Sequence, residues 1–409
     1  MVERIGLIGS GLSALGAALA LRHKYPSVRI ECFTHPPWKG SSRHRIGWDC
    51  ISGGPYISKN SENLALNSWF KIRNSVGYEW LKFNRLGGCS AVWGGVSVPP
   101  RFNELVNHDS VSEWTEDFKA ILSALNLQFR CTGDIPVNKD VTGERKVFWA
   151  EKILGPGGIL DAGSLITSVV DEVEFTPIAS IHKHGVVKLM PDGEFRGYDL
   201  IVHAADSFTA FQHLTKIYAD NEVITSIREP AQSICFGRAS SDLRLTKPTS
   251  GEPGVVCELG FDDETEIYTQ YYRWLDVVRG DFCSANPVLP ETLFVAFRYH
   301  CPSKSPRLLL TNRRGVAASI LTNEKCGKRL SFSRNSVDMR LAYGSSQHLV
   351  GGIANAKVDG ESFNVFGKAV FNEHKLIFAG SSMIPKPPLM TLGCHAMVTA
   401  YRELILRLS

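Results

Sequence analysis

The sequence lacks several features that would assign the chain to other classes of protein. Its ten cysteines include no Cys-x-x-Cys pair, which argues against a zinc ribbon and against a redox dithiol. Its net charge is only +4, from 45 Lys and Arg against 41 Asp and Glu, and no long basic run interleaved with aromatic residues occurs. We therefore expect reduced thiols in a cytoplasmic protein, with no metal site and no nucleic-acid partner.

Long apolar segments are also scarce. Residues 5–21 form the one apolar run that resembles a signal peptide, with Ala18-Leu19-Ala20 in the place of a cleavage site. Glycines interrupt this run at the spacing of a strand-to-helix turn, and a β-type segment follows at residues 28–33, as a βαβ unit requires. No other segment is long and apolar enough to cross a bilayer. The sequence thus predicts neither a signal peptide nor a membrane span.

The chain is long and apolar enough for more than one domain. It has 409 residues, of which 44% are hydrophobic and 10% aromatic, so two intertwined or consecutive domains are expected. Short β-rich runs separated by turn residues fill residues 229–341 and indicate an antiparallel sheet. Both ends of the chain have α/β character, and a helix that includes residues 69–80 is predicted. The predicted fold is therefore α/β, with a second domain built on an antiparallel sheet.

The N-terminal segment contains a glycine turn suited to a pyrophosphate. Gly9 permits a tight turn after a buried strand, Gly11 lets the backbone approach a phosphate, and Ala14 allows a helix to pack close to the strand. The helix would begin near Leu12 and Ser13, where free N–H groups and the positive end of the helix dipole favour an anion. A glycine-rich turn of any soluble α/β protein is the alternative interpretation.

Two histidines near the C-terminal end are candidates for acid–base chemistry. His348 lies in Gln347-His348-Leu349-Val350-Gly351-Gly352, and His395 lies in Gly393-Cys394-His395-Ala396-Met397. A neutral imidazole is suited to take a proton from an alcohol, and a second polar side chain can hold the resulting alkoxide. The alternative is that each imidazole only stabilises its local turn.

Taken in chain order, five blocks of the sequence resemble the glucose-methanol-choline (GMC) family of flavin oxidoreductases. The blocks are the opening turn with Gly9, Gly11 and Ala14; Gly87-Gly88-Cys89-Ser90 with Trp93 and Gly94; Ala204-Ala205-Asp206; residues 348–352; and residues 380–385 followed by residues 395–399. They extend from residue 5 to residue 402, so the resemblance covers nearly the whole chain.

The resemblance implies a Rossmann-like FAD-binding domain formed by residues 1–215 and 345–409, and a substrate-binding domain formed by residues 216–344. It implies cofactor contacts from four of the five blocks, namely Gly9, Gly11, Leu12, Ser13, Ala14, Gly87, Gly88, Ser90, Trp93, Ala205, Gly380, Ser381 and Met397, and Thr34 is added from its place at the end of the second strand. It further implies that an alcohol gives its hydroxyl proton to His348 and a hydride to flavin N5, while His395 hydrogen-bonds the substrate oxygen. The expected activity is oxidation of a CH–OH group of an alcohol or sugar-like substrate to a carbonyl.

Three departures from the family pattern modify these expectations. Val92 stands where some members carry a histidine bonded covalently to the flavin, so FAD is expected to bind non-covalently. Asp206 replaces a common glycine, and its role stays open. No acidic residue clearly occupies the ribose position after the second strand, where Thr34 is ranked ahead of Glu31 as the ribose-binding residue.

Two other functions stay open at this point. One is a non-redox lyase that keeps flavin as a structural group, since paired histidines also serve proton transfer. The other is an escort or binding protein that uses the fold without flavin. The chain is shorter than most family members, which indicates a shallow site suited to a carrier-linked alcohol as well as to a small molecule. Oxygen, a quinone and another protein all stay open as the electron acceptor.

Overall fold

The computed structural model describes the two ends of the chain and parts of its middle. The described residues are 2–35, 47–49, 54–56, 69–71, 79–81, 86–91, 96–97, 100–131, 146–149, 151–155, 158–182, 184–190, 192–230, 232–238, 255–262, 265–273, 293–300, 307–312, 317–321, 337–340, 349–363, 375–388 and 392–408. Trp93 and His348, two of the residues predicted to form the site, lie outside these ranges.

Five α-helices and twenty-eight strands are formed by the described residues. The helices are α1 (Leu12–Lys24), α2 (Val111–Ala124), α3 (Ala162–Val169), α4 (Ser207–Ile217) and α5 (Leu392–Arg407). The strands are β1 (Arg4–Ile8), β2 (Arg29–Phe33), β3 (Gly47–Asp49), β4 (Gly54–Tyr56), β5 (Trp69–Lys71), β6 (Glu79–Leu81), β7 (Val96–Ser97), β8 (Gln128–Cys131), β9 (Lys146–Trp149), β10 (Glu151–Gly155), β11 (Gly158–Ile159), β12 (Glu172–Glu174), β13 (Ile178–His182), β14 (Val186–Leu189), β15 (Phe195–Gly197), β16 (Leu200–His203), β17 (Val223–Arg228), β18 (Gln232–Arg238), β19 (Val255–Asp262), β20 (Thr265–Arg273), β21 (Leu293–His300), β22 (Arg307–Thr311), β23 (Ala317–Leu321), β24 (Val337–Arg340), β25 (Val350–Gly351), β26 (Lys357–Val358), β27 (Glu361–Ser362) and β28 (Leu376–Phe378). Among these helices, none combines the length and the apolar character that a membrane crossing requires.

A five-stranded parallel sheet joins the two ends of the chain. Its strand order is β12-β2-β1-β16-β28, and every neighbouring pair is parallel. The three central strands are almost wholly buried, as expected for a parallel sheet covered on both faces. The predicted N-terminal βαβ unit is present as β1, α1 and β2, and β28 brings the C-terminal segment into the same sheet.

Helices α1 and α5 pack against each other on one face of this sheet, where they share a core with α2 and α3. A Cβ atom at Gly16 would lie 2.1 Å from the carbonyl oxygen of Met397, so only glycine permits this close approach. A second core covers the opposite face and contains α4 and strands β17 and β22. The parallel sheet therefore separates two apolar layers.

Two larger antiparallel sheets account for the β-rich middle of the sequence. One has the order β24-β18-β21-β20-β19-β9, and the other has the order β23-β22-β17-β26-β27 with β25 also paired to β17. Strand β9 and strands β25 to β27 come from outside residues 216–344, so each sheet draws strands from both sides of the predicted boundary. The antiparallel character is confirmed, while the domain boundaries stay a prediction.

The helix predicted to include residues 69–80 is wrong. Strands β5 and β6 occur there and pair antiparallel, with Trp69 opposite Leu81 and Lys71 opposite Glu79. Aromatic residues in both segments favour extended structure, and this preference outweighs the helical periodicity of the stretch.

Candidate functional site

Helix α1 begins at the carboxyl edge of the parallel sheet, directly after β1, and its N-terminus is uncapped. Gly11 occupies the N-cap position in an extended conformation, so the cap has no side-chain oxygen, and the first turn contains no acidic residue. The backbone N–H groups of Leu12, Ser13 and Ala14 lack intrahelical partners at this position. An anion placed here would accept these hydrogen bonds and would be stabilised by the helix dipole.

The two glycines of the turn have different structural roles. Gly9 has a φ of +108°, and a Cβ atom there would lie 2.9 Å from the carbonyl oxygen of Ala204, so the fold itself requires glycine. Gly11 has an ordinary φ of −78°, and the nearest atom to a Cβ there is the carbonyl oxygen of Gly87, at 3.8 Å. The space in front of Gly11 is therefore open, as a phosphate cradle requires.

The loop that contains Gly87 and Ser90 is bonded to two helix N-termini. The Gly87 N–H donates to Ser10 Oγ at 3.0 Å, beside α1. Ser90 Oγ donates to the Gly87 carbonyl oxygen at 2.6 Å and accepts from the Ala162 N–H, at the start of α3, at 3.0 Å. A Cβ at Gly87 would lie 2.6 Å from Asp161 Oδ1. Gly87 and Ser90 therefore hold the loop in place.

Gly88 is the residue of this loop that adjoins open space. Its φ is +52°, and no atom of the described residues outside its chain neighbours lies within 4 Å of the position that a Cβ would occupy. Of the predicted cofactor contacts in the loop, Gly88 is thus the one placed to approach a ligand. Trp93, predicted to lie beside it, falls outside the described residues.

The segment after His348 is anchored on strand β17. Thr225 Oγ1 donates to the Gly352 carbonyl oxygen at 2.6 Å, and the Ile353 N–H donates to the Ser382 carbonyl oxygen at 3.1 Å. The glycine turn therefore joins β17 to the turn that contains Ser382. The predicted base His348 lies outside the described residues, so its position stays a prediction.

The 3-10 turn Gly380–Met383 lies directly on the first turn of helix α1. Gly380 has a φ of +77°, and a Cβ there would lie 2.2 Å from Ser13 Cβ. The Ser381 N–H donates to Ser13 Oγ at 3.3 Å. Gly380, Ser381 and Ser13 thus lie together beside the uncapped helix N-terminus, and their contact with a cofactor stays a prediction.

Thr34 lies at the end of β2, next to the glycine turn. Its Oγ1 is 2.5 Å from Ser10 Oγ, and both residues are buried. Because Ser10 also accepts the Gly87 N–H, one hydroxyl connects β2, the glycine turn and the Gly87 loop. Sequence reasoning missed Ser10, since it occupies the variable position of the Gly-x-Gly motif and its partners are far away in the chain.

Glu31, the alternative ribose ligand, is fully buried in an ionic cluster. Its carboxylate accepts hydrogen bonds from Arg4 Nη2 at 2.8 Å, Arg196 Nη1 at 2.5 Å and Tyr198 OH at 2.6 Å. Burial alone would raise the pKa of Glu31, but the hydrogen bonds from Tyr198 and the two arginines hold this pKa below its ordinary value. The carboxylate therefore stabilises the sheet and is not available to a ribose.

Three carboxylates near this cluster are the one group in the described ranges whose oxygens are close enough to share a cation. They belong to Glu31, Glu172 and Glu174, and the oxygens lie within 4.8 Å of one another. Arg196 already donates to Glu31 and Glu174, and Arg29 donates to Glu172. Because arginines neutralise all three carboxylates, the cluster gives no support to a metal site.

His395 lies within helix α5 and does not face an open site. Its imidazole is enclosed between α5 and α2, with 1% of the residue exposed and its ring centroid 6.3 Å from that of Trp114. Burial, together with the charge of His108 and against the opposing effect of the Glu104 backbone, lowers the pKa of His395 to about 4. This position does not support the expected contact with a substrate oxygen, and we assign the imidazole to packing.

Met397 is likewise part of the core. Its side chain is fully buried, and its carbonyl group packs against Gly16 of helix α1. The expected contact between Met397 and the cofactor is not supported, because the side chain is enclosed by the α1–α5 interface. Both residues belong to the face of α5 that packs on its neighbours, which a motif match cannot reveal.

Ala205 and Asp206 follow strand β16 at the same edge of the sheet. The Asp206 carboxylate accepts the N–H groups of Phe208 at 3.0 Å and Thr209 at 2.9 Å, so Asp206 is the N-cap of helix α4. The role that the sequence left open is therefore structural. A Cβ at Gly9 would lie 3.0 Å from Ala205 Cα, so Ala205 closes the glycine turn on the β16 side.

The residues present fit the diphosphate of a dinucleotide better than they fit its adenosine ribose. The uncapped N-terminus of α1 and the open space at Gly11 suit a diphosphate. At the ribose position, by contrast, the Thr34 hydroxyl already contacts Ser10, and a hydroxyl is a weaker partner for a ribose than a carboxylate. The geometry can therefore hold a phosphorylated cofactor whose main anchor is the helix N-terminus.

The overall structure is similar to that of solved oxidases. A pyridoxine 4-oxidase from Mesorbium loti matches with a TM-score of 0.53 and 11% sequence identity, covering 99% of this chain and 98% of that chain. A formate oxidase matches with a TM-score of 0.54 and 10% identity over the same shares, as does a mutant formate oxidase from Aspergillus oryzae studied for FAD modification, with a TM-score of 0.54, 10% identity and 98% of each chain. No protein-family model and no curated protein matches the sequence. At these identities the likeness shows a shared fold, and the chain has the fold of these oxidases over nearly its whole length.

Proposed function

We propose that the chain is an FAD-dependent oxidoreductase of the GMC type, which holds FAD non-covalently in a Rossmann-like domain of residues 1–215 and 345–409. One observation carries this proposal, namely the uncapped N-terminus of α1 with open space in front of Gly11. The Gly87 carbonyl oxygen and the Ser381 turn adjoin the same position. The fold shared with two oxidases supports the assignment.

The proposed reaction oxidises a CH–OH group of an alcohol or sugar-like substrate to a carbonyl. Bound FAD would supply the acceptor for the hydride. We assign the proton of the substrate hydroxyl to His348, which directly precedes Leu349 in the chain. The glycine turn bonded to Thr225 and Ser382 would hold the segment of His348 in a fixed position. His395 has no contact with substrate in this proposal.

One observation favours the escort alternative. The ribose position carries Thr34 bonded to Ser10 in place of a free carboxylate, so adenosine recognition rests on a weaker partner than in a dinucleotide site with an acidic residue. A protein that uses this fold without flavin would show the same feature. Uptake of FAD by the purified protein separates the two functions directly.

The proposal is tested by purifying the chain, recording its flavin content and attempting anaerobic reduction with a panel of alcohols. We expect a yellow protein whose flavin is bleached by at least one alcohol. A His348→Ala variant should be reduced about a hundredfold more slowly or worse, whereas His182→Ala, which changes an exposed histidine on β13, should be reduced at the wild-type rate.

Each contrary result points to a different error. A colourless protein that takes up no FAD leaves the escort function. Flavin that no alcohol reduces leaves the non-redox lyase. Reduction of His348→Ala at the wild-type rate shows that another group accepts the proton.

A further inference from the structure

Strands β17 and β22 place two arginines directly opposite each other. In their antiparallel register Arg228 pairs with Arg307, next to the pair formed by Ile227 and Leu308. Side chains at directly opposite positions lie on the same face with Cβ atoms about 5 Å apart, and like charges there destabilise a sheet. The pair is therefore not explained by sheet stability.

The arginine pair has no anionic partner within the part of the chain that the structure describes. Both side chains are half-buried, and the Nε atom of Arg228 is buried without a hydrogen bond. Burial and the charge of Arg307 both lower the pKa of Arg228, and no carboxylate in the described ranges opposes them. Glu229, the next residue of the chain, is not among the charges that act on Arg228.

The position of the pair relates it to the candidate site. Arg228 also pairs with Val350 of strand β25, so these two side chains share a face of the sheet. Val350 belongs to a buried apolar cluster that also contains Ile384 and Leu392. Ile384 directly follows the turn Gly380–Met383, and Leu392 is the first residue of α5. The face that carries the arginines therefore adjoins the segments that surround the uncapped end of α1.

We propose that Arg228 and Arg307 form an anion-binding subsite that receives the carboxylate or phosphate group of an anionic alcohol substrate. Guanidinium groups bind both kinds of anion through paired hydrogen bonds. A bound anion would neutralise the repulsion and give Arg228 Nε an acceptor. Leu309, 38% exposed on the same face, offers an apolar contact to the carbon chain that carries the anion. The assignment of the anion to the alcohol rests on the proposed function, whereas anion binding itself does not.

Thermal unfolding in the presence of simple anions tests the subsite without turnover. Inorganic phosphate and acetate are titrated separately at constant ionic strength, so that general screening of charge is the same in every sample. An anion that binds the folded state raises the unfolding temperature with a saturable dose dependence. The anion with the larger effect identifies the phosphate or the carboxylate as the preferred group.

Three variants decide whether the arginines are responsible. Arg228→Gln and Arg307→Gln should each weaken binding of the preferred anion by about tenfold or more, the equivalent of about 1.4 kcal/mol. The control is Lys357→Gln, which removes an exposed cation from β26 of the same sheet, opposite Ile224. It should bind like the wild type.

The unfolding temperature of the same variants without added anion is a second measurement, and it distinguishes anion binding from a purely structural role. Without added anion, Arg228→Gln and Arg307→Gln should unfold at the same temperature as the wild type or higher, because each removes the repulsion between the arginines. Lower unfolding temperatures would show that the pair stabilises the sheet and would overturn the proposal. An anion effect that persists in both variants, or one that is lost equally in Lys357→Gln, would also overturn it.

Flavin reduction then separates this proposal from the proposed function. Alcohols that differ only in carrying or lacking the preferred anion are compared, and Arg228→Gln should raise the half-saturating concentration of the anionic member alone. If no alcohol reduces the flavin but the arginine variants lose anion binding, the subsite stands and the proposed function fails. If alcohols are oxidised while both variants bind the anion like the wild type, the proposed function stands and the subsite fails.

Discussion

The buried imidazole of His395 makes stability depend on pH in a defined range. The residue is 1% exposed, and its pKa is lowered from 6.5 to about 4. On unfolding, the imidazole returns to water and to its ordinary pKa, so the unfolded state binds one proton more than the folded state between these two values. Above about pH 7 the free energy of unfolding does not depend on the titration of His395. As the pH falls from about 6.5 to about 4, this titration lowers the free energy of unfolding progressively.

The size of the effect follows from the shift. The difference of about 2.5 pKa units corresponds to about 3 kcal/mol, since each unit is equivalent to about 1.4 kcal/mol. The whole folding free energy of a typical domain is about 5–15 kcal/mol. The loss expected from this one buried histidine is therefore a substantial fraction of the folding free energy of a typical domain.

Urea unfolding of three proteins of equal flavin content isolates the contribution. Wild type is compared with His395→Leu, which fills a similar volume without titrating, and with His182→Leu, which removes an exposed histidine. Between about pH 7.5 and about pH 4 the wild type should lose about 3 kcal/mol more than His395→Leu and the same amount as His182→Leu. The carboxylates are the same in all three proteins, so their contribution to the loss cancels in the comparison. If the free energy of unfolding fell equally with pH in the wild type and in His395→Leu, His395 would not be the group whose protonation destabilises the fold.

Four further variants, at three positions, test the packing and the polar contacts of the fold in urea unfolding. Gly16→Ala would bring a Cβ within 2.1 Å of the Met397 carbonyl oxygen and should lower the free energy of unfolding by about 2 kcal/mol. A Gly16→Ala variant as stable as the wild type would show that α1 and α5 are farther apart. Glu31→Gln should cost about 2 kcal/mol, less than for a fully buried pair because its arginines are partly exposed. Asp206→Ala should cost about 1 kcal/mol and Asp206→Asn much less, and equal losses would contradict the capping role.

Local signals in the sequence are sufficient to predict the glycine turn and to distinguish the parallel sheet from the antiparallel sheets. Gly9 and Gly11 are two positions apart in the chain, and their conformations follow from the strand and helix that flank them. The N-cap role of Asp206 was also within reach, because an acidic residue directly before a helical segment is a common start signal.

Contacts between distant residues could not be predicted. The burial of Glu31 depends on Arg196, which is 165 positions away, and the pairing of Arg228 with Arg307 depends on a strand register that no single segment specifies. His395 shows the same limit. The residues around it match a block of the family pattern, but the direction of its side chain is determined by the packing of α5 on α2. The candidate site residues that the structure buries, His395 and Met397, are those whose orientation is determined by tertiary contacts.

The binding of FAD to a Gly11→Ala variant tests the central claim most directly. Among the described residues, the added methyl group meets only the Gly87 carbonyl oxygen, at 3.8 Å, and the φ of Gly11 suits alanine, so the fold should be unaffected. A diphosphate at the N-terminus of α1 would collide with the methyl group. We predict that Gly11→Ala binds FAD about tenfold more weakly or worse, while Gly197→Ala, at an equally open position on β15, binds FAD like the wild type. Equal FAD affinity in all three proteins would contradict a cofactor held at this helix.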